Sequence, residues 1–307
     1  LLIPIRFRNF RWPGILFIFL LLGIPFTAGG NTDRPIRVAT SIFPVADLVR
    51  NIGAERVEVR ALLSQSANFH TFEPTPRQMS WFKDTSIFFI IEERMEFWAK
   101  RLVRNVAGES LRIVDLSKGV SRIDSWGNSI SNDDSKWADP HYWLIPSNAK
   151  MMCRTIAEQL TQLDPEGGDT FDLNLKQYLE KLIRLDKEIR GEVRGFQRRK
   201  FISIHPAFIY FAREYGLEQV GILKPTPGKE PSSRHVADLI LSGRRQNVKV
   251  VLAVAHDNPV EGKVLAEELN ADLLFLDPLG GQDVPNRGSY LDLMRYNLKT
   301  LKRGMGK

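Results

Sequence analysis

Four short segments carry the residues best suited to chemistry. His70 lies in NFHTFEPTPRQM, His141 in ADPHYWLIPS and His205 in ISIHPAFIYFAREYGL, while Asp277 directly follows an apolar run in LLFLDPLGG. They stand 71, 64 and 72 residues apart, so no two share a helical turn and any common site must be assembled by tertiary folding. Imidazole and carboxylate are ligands of a divalent metal, and zinc takes four such ligands. Three His and one Asp meet that need without the lone Cys153. One carboxylate would leave the ion and its ligands at about +1, which an apolar surround tolerates better than a bare dication. Four protein ligands close the coordination shell, which argues for carriage of the ion, because a catalytic zinc keeps a position for water.

A lone His is more often a core or surface residue than a ligand, so position has to add weight. His70 comes a few residues after a strand pattern ending at Leu63, His205 ends KFISIH and Asp277 ends DLLFLD. In open α/β sheets, ligands bind beyond the carboxyl ends of the strands. His141 sits in a loop ahead of a helix expected to start near Pro146 or Ser147.

The elements that must position these residues read as alternating strands and helices. Strand patterns at 36–39, 57–63, 86–91 and 111–116 alternate with helical or loop segments, including a helix with Val45, Leu48, Val49 and Ile52 on one face. Such alternation predicts βα units on a mostly parallel sheet. The polar stretch 121–136 reads as a surface loop. From 167 to 196 the period changes: Phe171, Leu175, Tyr178, Leu179, Leu182, Ile183 and Ile189 recur at helical spacing, predicting one long amphipathic helix capped by Asp169 or Thr170. Its length suggests a connector between two lobes. The βα pattern then resumes through QVGIL, RHVADLILSG, VKVVLAV, VEGKVLAEEL and DLLFLD, and the chain closes on the amphipathic YLDLMRYNLKTLKRG. The fold class is therefore α/β, with two lobes that each hold a mostly parallel sheet flanked by helices, joined by one long rigid helix. No internal sequence repeat is visible.

Arg6, Arg8 and Arg11 precede the uncharged run GILFIFLLLGI and then the small residues TAGG, the order of a cleaved secretory signal. The run is shorter than the roughly 20 residues that span a bilayer. With no Cys at its end, a soluble exported protein is expected, periplasmic and not lipid-anchored. Leu1 in place of Met suggests a truncated or alternative start. Loss of residues 1–28 would lower the formal charge from +7 to +4, which does not indicate a nucleic-acid binder. One Cys forms no internal disulfide, so stability must come from a packed core. The expected organisation is a signal peptide at 1–29, an N-terminal lobe at 30–166, a connecting helix at 167–196 and a C-terminal lobe at 197–307.

From VATSIFPVADLVRNIG through HTFEPTPRQM, DPHYWLIPSNA, HPAFIYFAREYGL, KEPSSRHVADLI and LDPLGG to SYLDLMRYNLKTL, the chain closely resembles the solute-binding proteins of bacterial zinc and manganese ABC transporters, the cluster A-I type. The resemblance spans residues 36 to 302. It implies a metal buried between two lobes and delivered to a membrane ABC permease by a monomeric carrier, not an enzyme. The family's four ligand positions fall on His70, His141, His205 and Asp277. His at the third position marks zinc binders and Glu marks manganese binders, so His205 points to Zn2+, with Mn2+ as the alternative. The His-rich loop of many zinc relatives is absent from SRIDSWGNSISNDDSK. His256 and Asp257 stand where relatives often carry Glu-Pro. His235 reads as a helix surface residue, and Glu73 and Glu230 read as structural hydrogen-bonding residues. A long connecting helix implies that release proceeds by small lobe shifts. Two other readings are a metal-dependent adhesin on the same scaffold and a zinc hydrolase with Asp277 as general base. No HExxH segment or nucleophile elbow supports the hydrolase.

Overall fold

A computed structural model describes residues 34–63, 72, 75–94, 96, 98–99, 111–131, 138–225, 229–255 and 257–307. The expected signal segment, His70, Glu73 and His256 lie outside the described residues. In chain order the strands are β1 (Ile36–Thr40), β2 (Val57–Ala61), β3 (Ile87–Ile90), β4 (Arg112–Asp115), β5 (Lys200–Ser203), β6 (Glu218–Ile222), β7 (Val250–Val254) and β8 (Asp272–Leu276). The described α-helices are α1 (Phe43–Gly53), α2 (Pro76–Trp81), α3 (Pro146–Leu163), α4 (Gly168–Arg194), α5 (Ile209–Tyr215), α6 (Ser233–Arg245), α7 (Pro259–Leu269) and α8 (Tyr290–Met305). None of them is long and apolar enough to cross a membrane.

The strands form two four-stranded sheets, ordered β2-β1-β3-β4 and β6-β5-β7-β8, and every pairing is parallel. The two halves thus share one strand order although no sequence repeat announces it. In each, the order reverses beside the first strand, between β1 and β3 and between β5 and β7. At such a switch point the adjoining loops part and open a crevice at the strands' carboxyl ends. His205 follows β5 and Asp277 follows β8, so both lie at that end of the second sheet.

Apolar patterning explains how the sheets are buried. Every residue of β7 is buried, as expected of a parallel strand covered on both faces. Side chains alternate between the two faces of a strand. Phe201, Val250, Leu252 and Val254 enter a core that runs on through α4 to Val38 and Ile90 of the first sheet, while Ile202, Val251 and Ala253 enter a smaller core beneath α6 and α7. The larger core is continuous from one sheet to the other.

The long helix is present as α4, 27 residues from Gly168 to Arg194. Its buried stripe is Phe171, Tyr178, Leu182, Leu185, Ile189 and Val193, with Leu175 half-buried. Two local expectations are corrected. Ile183 lies one step off this stripe and is 55% exposed. Neither Asp169 nor Thr170 caps the helix. Asp164 accepts a hydrogen bond from Gly167 N at 3.1 Å and caps the 3-10 turn Pro165–Gly167, which runs directly into α4. Arg56 grips the same carboxylate with two N–H groups, at 2.5 and 2.9 Å, and holds the Asp164 carboxyl below its ordinary pKa.

α1 and the start of α8 are tied through a buried acid. Asp47 Oδ2 accepts from Tyr290 N at 2.8 Å, and the Tyr178 hydroxyl of α4 approaches it at 3.5 Å. Burial raises the Asp47 pKa, with Tyr290 N and Arg50 opposing the rise.

Candidate metal centre

His141 and His205 are brought together by opposite halves of the chain. His141 precedes the 3-10 turn Tyr142–Leu144, which the Tyr142 hydroxyl fastens to Ile91 O at 2.7 Å and Asn148 Nδ2 fastens at Tyr142 O at 2.9 Å. Pro146 then opens α3, where a missing N–H costs nothing. His205 leaves β5 with Ile204 still in the sheet, its N–H donating to Leu252 O at 2.8 Å. His141 is buried and His205 is half-buried.

The two Nε2 atoms face each other at 3.4 Å, with the ring planes at 80°. That separation is long for a hydrogen bond between nitrogens. It matches the edge of a tetrahedron around zinc, because two nitrogens each about 2.0–2.1 Å from a tetrahedral ion stand about 3.4 Å apart. The tautomer also fits. Asp139 Oδ1 lies 3.0 Å from His141 Nδ1 and also accepts His141 N–H at 2.9 Å. A carboxylate at Nδ1 fixes the proton there and leaves the Nε2 lone pair for a metal.

Asp277 is held by its backbone as well as its side chain. Asn297 of α8 accepts from Asp277 N at 2.8 Å and donates to Asp277 O at 2.7 Å, continuing the sheet's hydrogen bonding beyond β8 with a side-chain amide. Pro278 O accepts from Trp143 Nε1 at 2.8 Å, and the Trp143 ring stands 5.2 Å from the His141 ring. Tyr290 OH donates to Trp143 O at 2.8 Å. The Asp277 segment is therefore anchored to the His141 segment through Trp143. Among the described residues, no group of three His, Cys, Asp or Glu side chains stands close enough to hold an ion, while His141 and His205 approach each other through their Nε2 atoms.

Other residues singled out from the sequence have structural partners. His235 Nε2 lies 2.8 Å from Ile222 O, so the ring sits half-buried against β6 instead of standing free on the surface. Glu230 accepts from Lys224 at 3.1 Å. Asp257 Oδ2 accepts from Val254 N at 2.7 Å, and burial pushes its pKa up to about 6.

Several supporting residues were not legible beforehand. Asp139, two positions before His141, is a local signal for an imidazole partner. Asn297 interrupts the apolar stripe Leu293, Met294, Leu298 and Leu301, and an amide on such a stripe demands buried partners. Glu96, which accepts from Ile91 N at 3.0 Å and Glu92 N at 2.8 Å, has its pKa raised by burial to about 7. Glu92 pairs with Arg94 and Arg122. These acids fix the chain after β3, where Ile91 O receives the Tyr142 hydroxyl.

Comparison with known proteins agrees with the fold. Residues 38–304 match the sequence model of the family described as zinc-uptake complex component A periplasmic, ZnuA. The chain is 30% identical over 311 residues to the high-affinity zinc uptake system protein ZnuA of Bacillus subtilis (strain 168), covering 95% of this chain and 97% of that protein. It is 25% identical over 288 residues to the zinc-binding protein AdcA of Streptococcus pyogenes serotype M6, spanning 88% of this chain but 56% of AdcA. A crystal structure of a zinc-bound ZnuA mutant lacking 138–173 superposes with a TM-score of 0.77 at 26% identity, covering 89% of this chain and 99% of that chain. A match that spans both sheets and the long helix, at this identity and coverage, identifies the chain as a member of the ZnuA family.

Proposed function

We propose that this protein is an exported solute-binding protein that captures Zn2+ between its two lobes and delivers it to a membrane ABC permease for import. The observation that carries the reading is the 3.4 Å approach of His141 Nε2 to His205 Nε2, with Asp139 fixing the His141 tautomer. His70 and Asp277 are the third and fourth ligands. The ZnuA and AdcA relatives are named for zinc uptake and zinc binding, which supports the same cargo. Mn2+ is the alternative ion, disfavoured because imidazole suits zinc and carboxylate suits manganese. The division into a signal peptide at 1–29, lobes at 30–166 and 197–307 and a helix at 167–196 belongs to this reading, as do a periplasmic location and a monomeric carrier. A carrier needs no reaction at the metal, and the family is a transport component.

Elemental analysis with competitive Zn/Mn titration tests the proposal. One Zn2+ per chain is expected, with zinc preferred. Affinity should fall as pH drops below about 6.5, where protons begin to compete for the imidazole nitrogens. His205→Glu should move the preference toward manganese. Failure of a folded protein to bind either ion would overturn the reading.

A further inference from the structure

Asp277 is held by an unusual division of labour between its two oxygens. Oδ1 accepts from Leu279 N and Gly280 N, each at 2.9 Å. Oδ2 accepts from Arg287 Nη1 at 2.9 Å. Two backbone amides thus fix one oxygen and leave Oδ2 as the one a cation would take. A cation already holds it: the side chains are 3% exposed for Asp277 and 23% for Arg287.

A tight loop returns Arg287 to this place. Gly280 has φ +63°, and a Cβ there would stand 2.9 Å from Arg287 O, so the turn requires glycine. Gly281 N donates to Arg287 O at 3.2 Å, and Arg287 N donates to Val284 O at 3.0 Å. The Arg287 guanidinium carbon lies 4.5 Å from the centre of the Tyr296 ring. Its buried Nε has no hydrogen-bond partner, and Nη1 is the one guanidinium nitrogen that bonds Asp277. An arginine built to lock a carboxylate uses two parallel N–H groups. This one touches a single oxygen, the oxygen the cargo needs, and rests on an aromatic face.

We propose that Arg287 is a built-in competitor of the cargo ion for Asp277. It neutralises the buried carboxylate while the site is empty, gives up or shares Oδ2 when the metal enters, and regains it on release. The inference rests on the reading of Asp277 as a ligand. By repelling the bound dication, Arg287 weakens capture and hastens release, as a carrier that must surrender its cargo requires.

Zinc affinity, zinc release to a chelator in stopped flow, and thermal unfolding with and without zinc test this in Arg287→Gln, Arg287→Lys and Asp277→Ala. Loss of a positive charge a few ångströms from the ion should tighten binding in Arg287→Gln by about tenfold and slow release comparably. The metal-free Arg287→Gln protein should melt at a lower temperature than wild type, yet gain more on adding zinc. Arg287→Lys keeps the charge but loses the planar contact with Tyr296, and should fall between the two. A merely orienting arginine would give the opposite sign, so equal or weaker zinc binding in Arg287→Gln overturns the proposal. If that variant does not fold, Arg287→Lys decides in the same way, tighter than wild type supporting the proposal and equal or weaker overturning it. Unchanged affinity in Asp277→Ala would instead overturn the ligand reading beneath it.

Discussion

His205→Ala lowers zinc affinity by about a hundredfold to a thousandfold while leaving the fold in place. A four-ligand zinc site is worth about 10–16 kcal/mol in all, so one ligand accounts for about 3 kcal/mol or more. His205 is half-buried just beyond the end of β5, so its removal takes away less packing than the loss of a fully buried ring. His141→Ala should lose a comparable amount of affinity, but with a larger structural effect, since His141 is 4% exposed and its ring engages Asp139 and lies against Trp143. Isothermal titration alongside far-UV circular dichroism checks both. Zinc affinity within threefold of wild type in a folded His205→Ala protein would remove the nitrogen pair from the site.

The second large effect is on stability. Trp143 is 1% exposed and is held at both ends: its indole N–H donates to Pro278 O and its carbonyl accepts from Tyr290 OH. Those partners lie more than 130 residues away in sequence, in the chain that follows β8 and at the start of α8. Trp143→Ala opens a cavity and should cost about 3–5 kcal/mol. At roughly 2–4 °C per kcal/mol for a chain of this size, the melting temperature should fall by roughly 10 °C. Trp143→Phe keeps most of the packing but leaves Pro278 O unpaired, for about 1–3 kcal/mol. Thermal unfolding of the metal-free proteins measures both. A fall of only one or two degrees for Trp143→Ala would show that the two segments are not anchored through this residue.

The sequence shows the α/β class and the long helix clearly, and for a physical reason. Strands buried on both faces carry unbroken apolar runs such as VVLAV, and α4 keeps a helical apolar period from Phe171 to Val193, about six turns. Where local signals compete, the sequence is a poorer guide. Asp169 and Thr170 are good capping residues, but a 3-10 turn already capped by Asp164 feeds the helix, so no second cap is needed. Ile183 is apolar and near the stripe, yet a helix buries only the residues that face its neighbours. A partner far along the chain leaves no periodic trace at all. Asp277 is served by Asn297 and Arg287, and the carbonyl of the next residue by Trp143. None of the three is legible as a partner in the sequence, although Asn297 leaves a local trace as a polar break in an apolar stripe.

The continuous core bears on how cargo leaves. Phe171, Tyr178, Leu182 and Ile189 of α4 share one core with Val38 of the first sheet and Phe201 of the second, so a wide hinge would expose buried apolar surface. At about 25 cal/mol per Å2, opening even a few hundred Å2 would cost several kcal/mol. Local movement of the loops carrying His141, His205 and Asp277 costs less, and the competition proposed for Arg287 acts within that range.

The most direct test of the account is anomalous diffraction at the zinc edge from crystals of the zinc-loaded protein. One strong peak is expected within bonding distance, about 2.0–2.1 Å, of His141 Nε2 and His205 Nε2, with His70 and Asp277 completing the shell. A peak away from that pair, or none from a folded protein soaked in zinc, would contradict it.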